Sequence, residues 1–270
     1  MISRIVGLFG LFALACALAI GVAGPGSRLG LWDWSFGLQL IRDISAPRAI
    51  AGGLSLSPLF TGAGLALLGG VVALVTKNFR AGGFAILSAL LAGGAAMVPL
   101  KMRAAFAANP FIHEVTTDFE NPPAIIAAAG LPRKNPAEYR GADPVPQSTD
   151  GLTVAGAQRR AFPDIAPIVV AANLEGARAA ARSVIADMGM EILAEGPDGD
   201  QSGAGWRIEA VHTSAAFGFK DDFIVRLTPL AQGGIRIDLR SKSRVGGSDL
   251  GANAARVRDF SKRLSAKMAG

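Results

Sequence analysis

Acid–base or ligand chemistry in this chain would have to come from a small set of polar residues. His113 and Asp118 precede a Pro-rich stretch, Lys220, Asp221 and Asp222 open one alternating run, Arg240 and Arg244 close the next, and Asp249, Asn253 and Arg256 follow. An imidazole beside carboxyls can exchange protons, so His113 with Glu114 and Asp118 can form an acid/base group. A tethering loop hydrogen-bonded to a domain is the commoner use of such residues. Asp221 and Asp222 can hold a hard cation or act as paired carboxylates. Neighbours on a strand point to opposite faces, however, so ion pairs with Lys220, Arg240 or Arg244 are expected instead. Asp249, Asn253 and Arg256 are spaced i, i+4 and i+7 and share one helical face. The strand end before them is expected to bring Asp249 near Arg244 and towards Lys220. Gly246-Gly247-Ser248-Asp249 ahead of a helix can offer amides to an anion, but a turn plus N-cap is the simpler reading. His212, near a strand end, reads as structural.

Composition narrows the chemistry. Two histidines and one cysteine cannot supply a His/Cys zinc site, and one cysteine cannot form an intrachain disulfide. No metal and no cofactor are expected. The sequence contains no Gly-x-Ser-x-Gly elbow, no P-loop and no Gly-x-Gly-x-x-Gly turn. Residues 1–103 carry eight Lys/Arg against two Asp, which is the whole of the +6 formal charge, while residues 104–270 carry 19 of each sign. The basic balance therefore belongs to the N-terminal part and gives no reason to expect a nucleic-acid partner.

These polar residues must be positioned by the elements around them. Trp206, Ile208 and Ala210 alternate with Arg207 and Glu209; Phe223, Val225 and Leu227 alternate with Asp222, Ile224 and Arg226; Ile235, Ile237 and Leu239 alternate with Arg236, Asp238, Arg240 and Lys242. Period two with one apolar and one charged face predicts antiparallel strands wetted on one side. Gln232-Gly233-Gly234 supplies a hairpin turn. Leu250, Ala254, Val257, Ser261 and Leu264 then recur at helical steps, predicting a helix from near Ser248. Upstream, residues 168–170 read as a strand. Asn173 caps a helix striped with Leu174, Ala177, Ala181, Val184, Ile185 and Met188, Gly189 ends it, and a strand follows over residues 190–195. The fold class is α+β: an antiparallel sheet with two helices packed on one face.

Ahead of this domain lie three apolar runs, at residues 5–23, 54–76 and 81–100, each long enough to cross ~30 Å of hydrocarbon. The first is expected to remain as an uncleaved anchor, ending at the helix-breaking Gly24-Pro25-Gly26. Residues 35–44, beside Trp32 and Trp34, are expected to lie in the lipid interface as an amphipathic helix. Paired glycines in the second and third runs permit close packing of the spans. Between the membrane domain, residues 1–103, and the soluble domain, residues 166–270, the segment 104–165 holds most of the prolines. It is expected to be an extended linker that wraps the soluble domain, anchored by Tyr139 and Phe162. One short helix is expected over residues 124–129, and disorder over residues 133–153 is the rival expectation.

Several motifs occur together in order: Ile112-His113-Glu114-Val115-Thr116-Thr117-Asp118, Asn121-Pro122-Pro123, Phe162-Pro163-Asp164-Ile165, Gly218-Phe219-Lys220-Asp221-Asp222 and Ser243-Arg244-Val245-Gly246 through Asn253. With them the chain resembles the domain-of-unknown-function family numbered 1499. Gly24 to Asp33 and the three spans resemble its membrane-anchored bacterial members. Basic residues flank the spans on both sides, and a strict count would place the domain inside the cell. In similar proteins the loop after the second span is often strongly basic, so the resemblance implies a cytoplasmic loop at Lys77–Arg80 and an extracytoplasmic domain in the bacterial inner membrane. It implies no activity. The expected partners are the lipid bilayer and a protein or lipid of the cell envelope, which the domain binds or scaffolds. A hydrolase built on the carboxylate/Arg cluster and a carrier of a lipid or small apolar ligand are the alternatives.

Overall fold

The computed structural model describes residues 2–49, 55–146, 148, 150–198 and 205–269. They form two compact units: residues 1–104 with 215–218, and residues 105–214 with 219–270. The expected start of the second apolar run, residue 54, lies outside the described residues.

The first unit is helical. Helix α1 spans Ile2–Arg28, α2 Trp34–Ser45, α3 Pro58–Val75 and α4 Phe79–Ala108, with a two-residue ribbon of β1 (Arg48–Ala49) and β2 (Ser55–Leu56) before α3. Helices α1, α3 and α4 are long and apolar enough to cross a membrane. Their small residues let them approach closely: Ala13, Ala17, Ala66, Ala89, Ala92 and Leu59 form one buried seam, and a Cβ on Gly82 would meet the Leu74 side chain and the Gly70 carbonyl. α1 does not stop at Gly24-Pro25-Gly26 but runs through Pro25 to Arg28. Trp32 explains part of this. Its indole Nε1 donates to the Ala23 carbonyl at 3.0 Å, and its ring lies so close to Gly26 that any Cβ there would clash. α2 forms where the amphipathic segment was expected, with Asp33 as N-cap accepting from the Ser35 amide.

The second unit is the α+β domain. Its elements are β3 (Glu114–Thr116), α5 (Val154–Ala161), β4 (Ile168–Val170), α6 (Leu174–Asp187), β5 (Glu191–Pro197), β6 (Trp206–Thr213), β7 (Lys220–Pro229), β8 (Ile235–Ser243) and α7 (Ala252–Ala269). The sheet is antiparallel in the order β3-β8-β7-β6-β5, and β4 also pairs with β8, beyond the end of β3. Phe223, Val225, Leu227, Ile237 and Leu239 pack against Ala177, Ala181, Val184 and Ile185 of α6 and Ala254, Val257, Phe260 and Leu264 of α7. Phe223 and Phe260 meet with ring centroids 5.1 Å apart. Asn173 caps α6 by accepting from the Gly176 amide, and Gly189 ends it in the left-handed conformation.

In this second unit four features differ from the sequence-based expectation. α7 starts at Ala252 rather than near Ser248, because Leu250 and Gly251 both take left-handed backbone angles that no helix can contain. Residues 124–129 form no helix; they run extended into a turn, because Ile126, Ala127 and Ala128 give their amides to a side-chain carboxylate. A helix appears instead at α5, where Thr153 caps the start by accepting from the Gly156 amide. Finally, the charged face of the sheet is not wet. Residues 117–145, here termed the strap, lie across it, and the segment before them supplies the edge strand β3. Described residues in the range expected as the rival disordered stretch make defined contacts, including the Pro144–Thr153 bridge.

Candidate functional site

The alternation of the strands sets Arg207 and Glu209 of β6, Asp222 and Arg226 of β7, Arg236, Asp238, Arg240 and Lys242 of β8, and Glu114 of β3 on one face. Burying a charge costs several kcal/mol unless it is paired and hydrogen-bonded, so this face folds only with partners for each group. Glu114 is the hub at one end. It stands opposite Lys242 in register, accepts from Lys242 Nζ at 3.0 Å and Arg240 Nη2 at 2.9 Å, and takes the Arg140 amide at 3.0 Å. The strap completes both cations: Arg240 donates to the carbonyls of Pro123 and Ala137, and Lys242 to that of Glu138. Glu114, Arg240 and Lys242 are 1 %, 2 % and 0 % exposed. Burial pushes the Lys242 ammonium below its ordinary pKa, while Glu114 pulls it back. Beside them the Tyr139 phenol is pushed up to about 12, first by burial and then by the Glu114 charge.

Two further knots continue the layer. Asp222 pairs with Arg244 at 2.7 Å and with Arg133 of the strap at 3.0 Å. Arg133 also donates to the carbonyls of Asn135 and Ala128, and Asn135 ties down the end of β8 by donating to the Ser243 and Gly246 carbonyls. At the other end Asp118 and Asp238 share Arg226 and Arg236, with contacts of 2.9 to 3.1 Å. Glu209 has a different solution. Its carboxylate, 1 % exposed, accepts from the amides of Ile126, Ala127 and Ala128 at 3.0 to 3.3 Å and from Arg207 Nε at 3.1 Å. Consecutive amides turned onto one anion make a nest, and here the anion belongs to the chain itself.

A second polar cluster lies on the helix face. Arg256 of α7 donates to Asp221 at 2.7 Å, Asn253 at 2.6 Å and Ser241 at 2.8 Å, and reaches His212 Nδ1 at 3.0 Å. Asn253 in turn donates to the His113 carbonyl and to Ser243. Asp249 accepts from the amides of Gly251 and Asn253 and so caps the turn into α7. Burial raises its carboxyl pKa against the pull of those bonds. Burial, followed by the charge of Lys242, lowers that of His113.

The residues singled out in the sequence therefore divide. Asp221, Asn253 and Arg256 meet on the helix face, with Asp249 at its edge. Asp222 and Arg244 meet under the strap, as do Arg240 and Glu114. Asp118 joins neither His113 nor these pairs but lies with Arg226 and Arg236, and Lys220 donates to Thr213. Asp249 and Arg244 are not partners, because β8 turns its odd-numbered residues to the helices and its even-numbered residues to the strap. Glu114, Glu209, Arg133, Arg226, Asp238 and Lys242 were missed as members of the layer. Alternation had placed most of them in file, but nothing in the sequence marked what covers them. A cleft of about 480 Å³ also opens beside β4 and α7, lined by Ile165, Pro167, Val169, Val257, Asp164 and Arg258. Asp164 and Arg258 satisfy each other there through two 2.6 Å bonds.

Fold and site together define an α+β domain with an internal ionic layer, joined to three helices of membrane-spanning length and hydropathy. The model of the family described as "Protein of unknown function (DUF1499)" matches residues 114–264, and the chain belongs to that family. The match starts at the hub carboxylate Glu114 and includes the whole strap. Neither the curated proteins nor the solved structures contain a match to this chain.

Proposed function

We propose that this is an integral membrane protein whose extracytoplasmic α+β domain binds or scaffolds a component of the cell envelope. One contrast carries the reading: the carboxylates under the strap and Asp221 are engaged with arginines and Lys242, while the strap presents an uncharged apolar tip. Between Glu120 and Arg133 there is no ionisable residue, and Ile126 and Leu131 are 55 % and 38 % exposed. The Glu209 nest holds the main chain beneath the tip, so little ordering entropy is lost when a partner docks on it. An exposed apolar patch on a domain with a well-filled core is a feature of interaction sites. The hydrolase alternative needs a free carboxylate pair, whereas Asp221 and Asp222 each lie within 3.0 Å of a guanidinium. The carrier alternative needs an enclosed apolar cavity, and the β4–α7 cleft carries an ion pair in its lining.

A photo-crosslinking side chain at position 126 in intact cells is expected to form adducts that Leu131→Asp abolishes without changing the unfolding midpoint. Equal adduct yield from an exposed site on α6 would remove the tip as the binding surface. For the orientation, a reporter fused after Gly270 should be active only when exported and one at Asn78 only when cytoplasmic. The reverse pattern at both sites would place the domain inside.

A further inference from the structure

Arg256 joins four elements, and its hydrogen bonds leave His212 a single role. A guanidinium has donors only and keeps its protons in proteins. His212 Nδ1, 3.0 Å from Arg256 Nη2, must therefore accept, which makes the imidazole neutral with its proton on Nε2. The same Nη2 donates to Asp221 at 2.7 Å, and Nη1 donates to Ser241 of β8 and Asn253 of α7. Asp221 Oδ2 stands 3.9 Å from Nδ1, and the His212 side chain is 33 % exposed, so solvent protons reach the ring.

We propose that His212, Arg256 and Asp221 form a proton-operated latch on α7. In the closed state the neutral imidazole accepts from Arg256, and the guanidinium ties α7 to β6, β7 and β8. A proton from solvent adds to the Nδ1 lone pair and gives an imidazolium with N–H on both nitrogens. The bond from Arg256 breaks, since neither partner then has a lone pair. Asp221 becomes the acceptor for Nδ1–H, and Arg256 loses its tie to β6 and part of its hold on β7.

The surroundings favour this response. The charged groups facing His212 are Asp221 on β7 and Arg256 on α7, and Asp249 ahead of α7 is close enough to Asp221 to feel its charge. β8 contributes the hydroxyls of Ser241 and Ser243. On β5, Glu191 stands opposite Val211, one residue along from His212 and so on the other face. On α6, Arg182 is paired with Glu195 and Asp187 with Lys267. Burial, and then the Arg256 charge, hold His212 below the ordinary histidine pKa against the opposing pull of Asp221. Because the folded value lies below the unfolded one, the unfolded chain takes the proton first. The latch's contribution is therefore full above about pH 6.5 and is lost as pH falls below it.

The test uses the full chain in detergent with labelled imidazoles, and His113→Gln assigns the two ring signals. His212 is expected as the Nε2–H tautomer at about pH 7.5, titrating below the ordinary histidine value. Hydrogen exchange in the first turns of α7, corrected for its intrinsic pH dependence, should accelerate on acidification, by about tenfold for each unit of pKa depression. His212→Gln keeps an acceptor for Arg256 but cannot titrate, so its α7 protection should not respond to pH. An Nδ1–H tautomer at neutral pH, or the same acid-induced loss in His212→Gln, overturns the latch. Should that variant fail to fold, Asp221→Asn decides: the His212 titration must move lower still, and an unmoved titration overturns the proposal.

Discussion

On the helix side of the sheet, Phe223, Val225, Leu227, Ile237 and Leu239 meet α6 and α7. On the strap side, one residue along on each strand, Asp222, Arg226, Asp238, Arg240 and Lys242 meet one another and the main chain of residues 117–145. The first interface is non-directional, and many apolar side chains of suitable volume would fill it. The second is directional at every contact, since each charge needs a partner at hydrogen-bonding distance. Asp222, Asp238, Arg240 and Lys242 are buried as deeply as the apolar residues opposite, so depth alone does not make a face apolar. A segment without helical or strand period can cover a sheet if its carbonyls and amides stand where the charges need them. The β3 edge follows the same rule. Gln158 of α5 donates to the Thr116 carbonyl at 2.6 Å and accepts from the Thr116 amide at 3.0 Å. A side-chain amide thus occupies edge groups that would otherwise be open to a further strand.

The largest expected difference between the faces comes from their hubs. Glu114→Ala leaves two buried cations without their carboxylate and should cost about 3–5 kcal/mol, similar to Phe223→Ala on the helix side, about 3–5 kcal/mol. The two losses should respond differently to repair. Replacing Glu114, Arg240 and Lys242 together by Met, Leu and Met removes the unpaired charges but leaves the carbonyls of Pro123, Ala137 and Glu138 and the Arg140 amide without these partners. It should therefore recover part of the Glu114→Ala loss, as read from denaturant midpoints of the full chain in detergent. A triple variant as unstable as Glu114→Ala would mean that strap packing depends on the charges themselves.

Glu209→Ala removes the acceptor of three strap amides and should cost about 1.5–3 kcal/mol. Exchange should rise at residues 126–128 while α6 stays protected, which confines the effect to one face. Smaller again is Asp249→Ala, about 1 kcal/mol for a lost cap. Because Asp249 and Arg244 serve opposite faces with separate partners, Asp249→Ala and Arg244→Ala should add within about 0.5 kcal/mol in a double-mutant cycle. A larger coupling would show that the two faces communicate through the end of β8.

The alkaline titration of the strap is read as a pKa rather than as an unfolding midpoint. Tyr139 is the only tyrosine, so tyrosinate absorbance reads it directly. Its folded pKa is raised from 10.0 to about 12, so the unfolded chain loses the phenolic proton first. Its contribution to stability is present below about pH 10 and is lost as pH rises towards 12. Freeing the strap by Arg133→Ala should move the titration back towards the ordinary phenol value.

Much of the fold could be read before any coordinates. Ala177, Ala181, Val184 and Ile185 repeat at helical steps, Asn173 and Gly189 mark the ends of their helix, and the strands β6 to β8 alternate cleanly. The site was less legible. Arg240 and Arg244 were noticed as charges, but the alternation that put polar residues on one face was read as a sign of water. Periodicity reports which way a side chain points and is silent on what it meets there. His212 was set aside because nothing local distinguishes a strand-end histidine that binds an arginine of a helix 44 residues further on.

Local patterns thus determined three membrane-length apolar helices, an antiparallel sheet and two helices on one of its faces, because period, capping and turn chemistry act over a few residues. Only the tertiary structure decided that the charged face is interior, that Glu209 rather than a bound anion occupies the amides of residues 126–128, and which arginines Asp221 and Asp222 meet on their opposite faces. Those outcomes rest on contacts between residues 20 to 130 positions apart, such as Glu114 with Lys242 and Asp222 with Arg244. Pairing at such separations depends on how the sheet and strap close in space, and no local period encodes it.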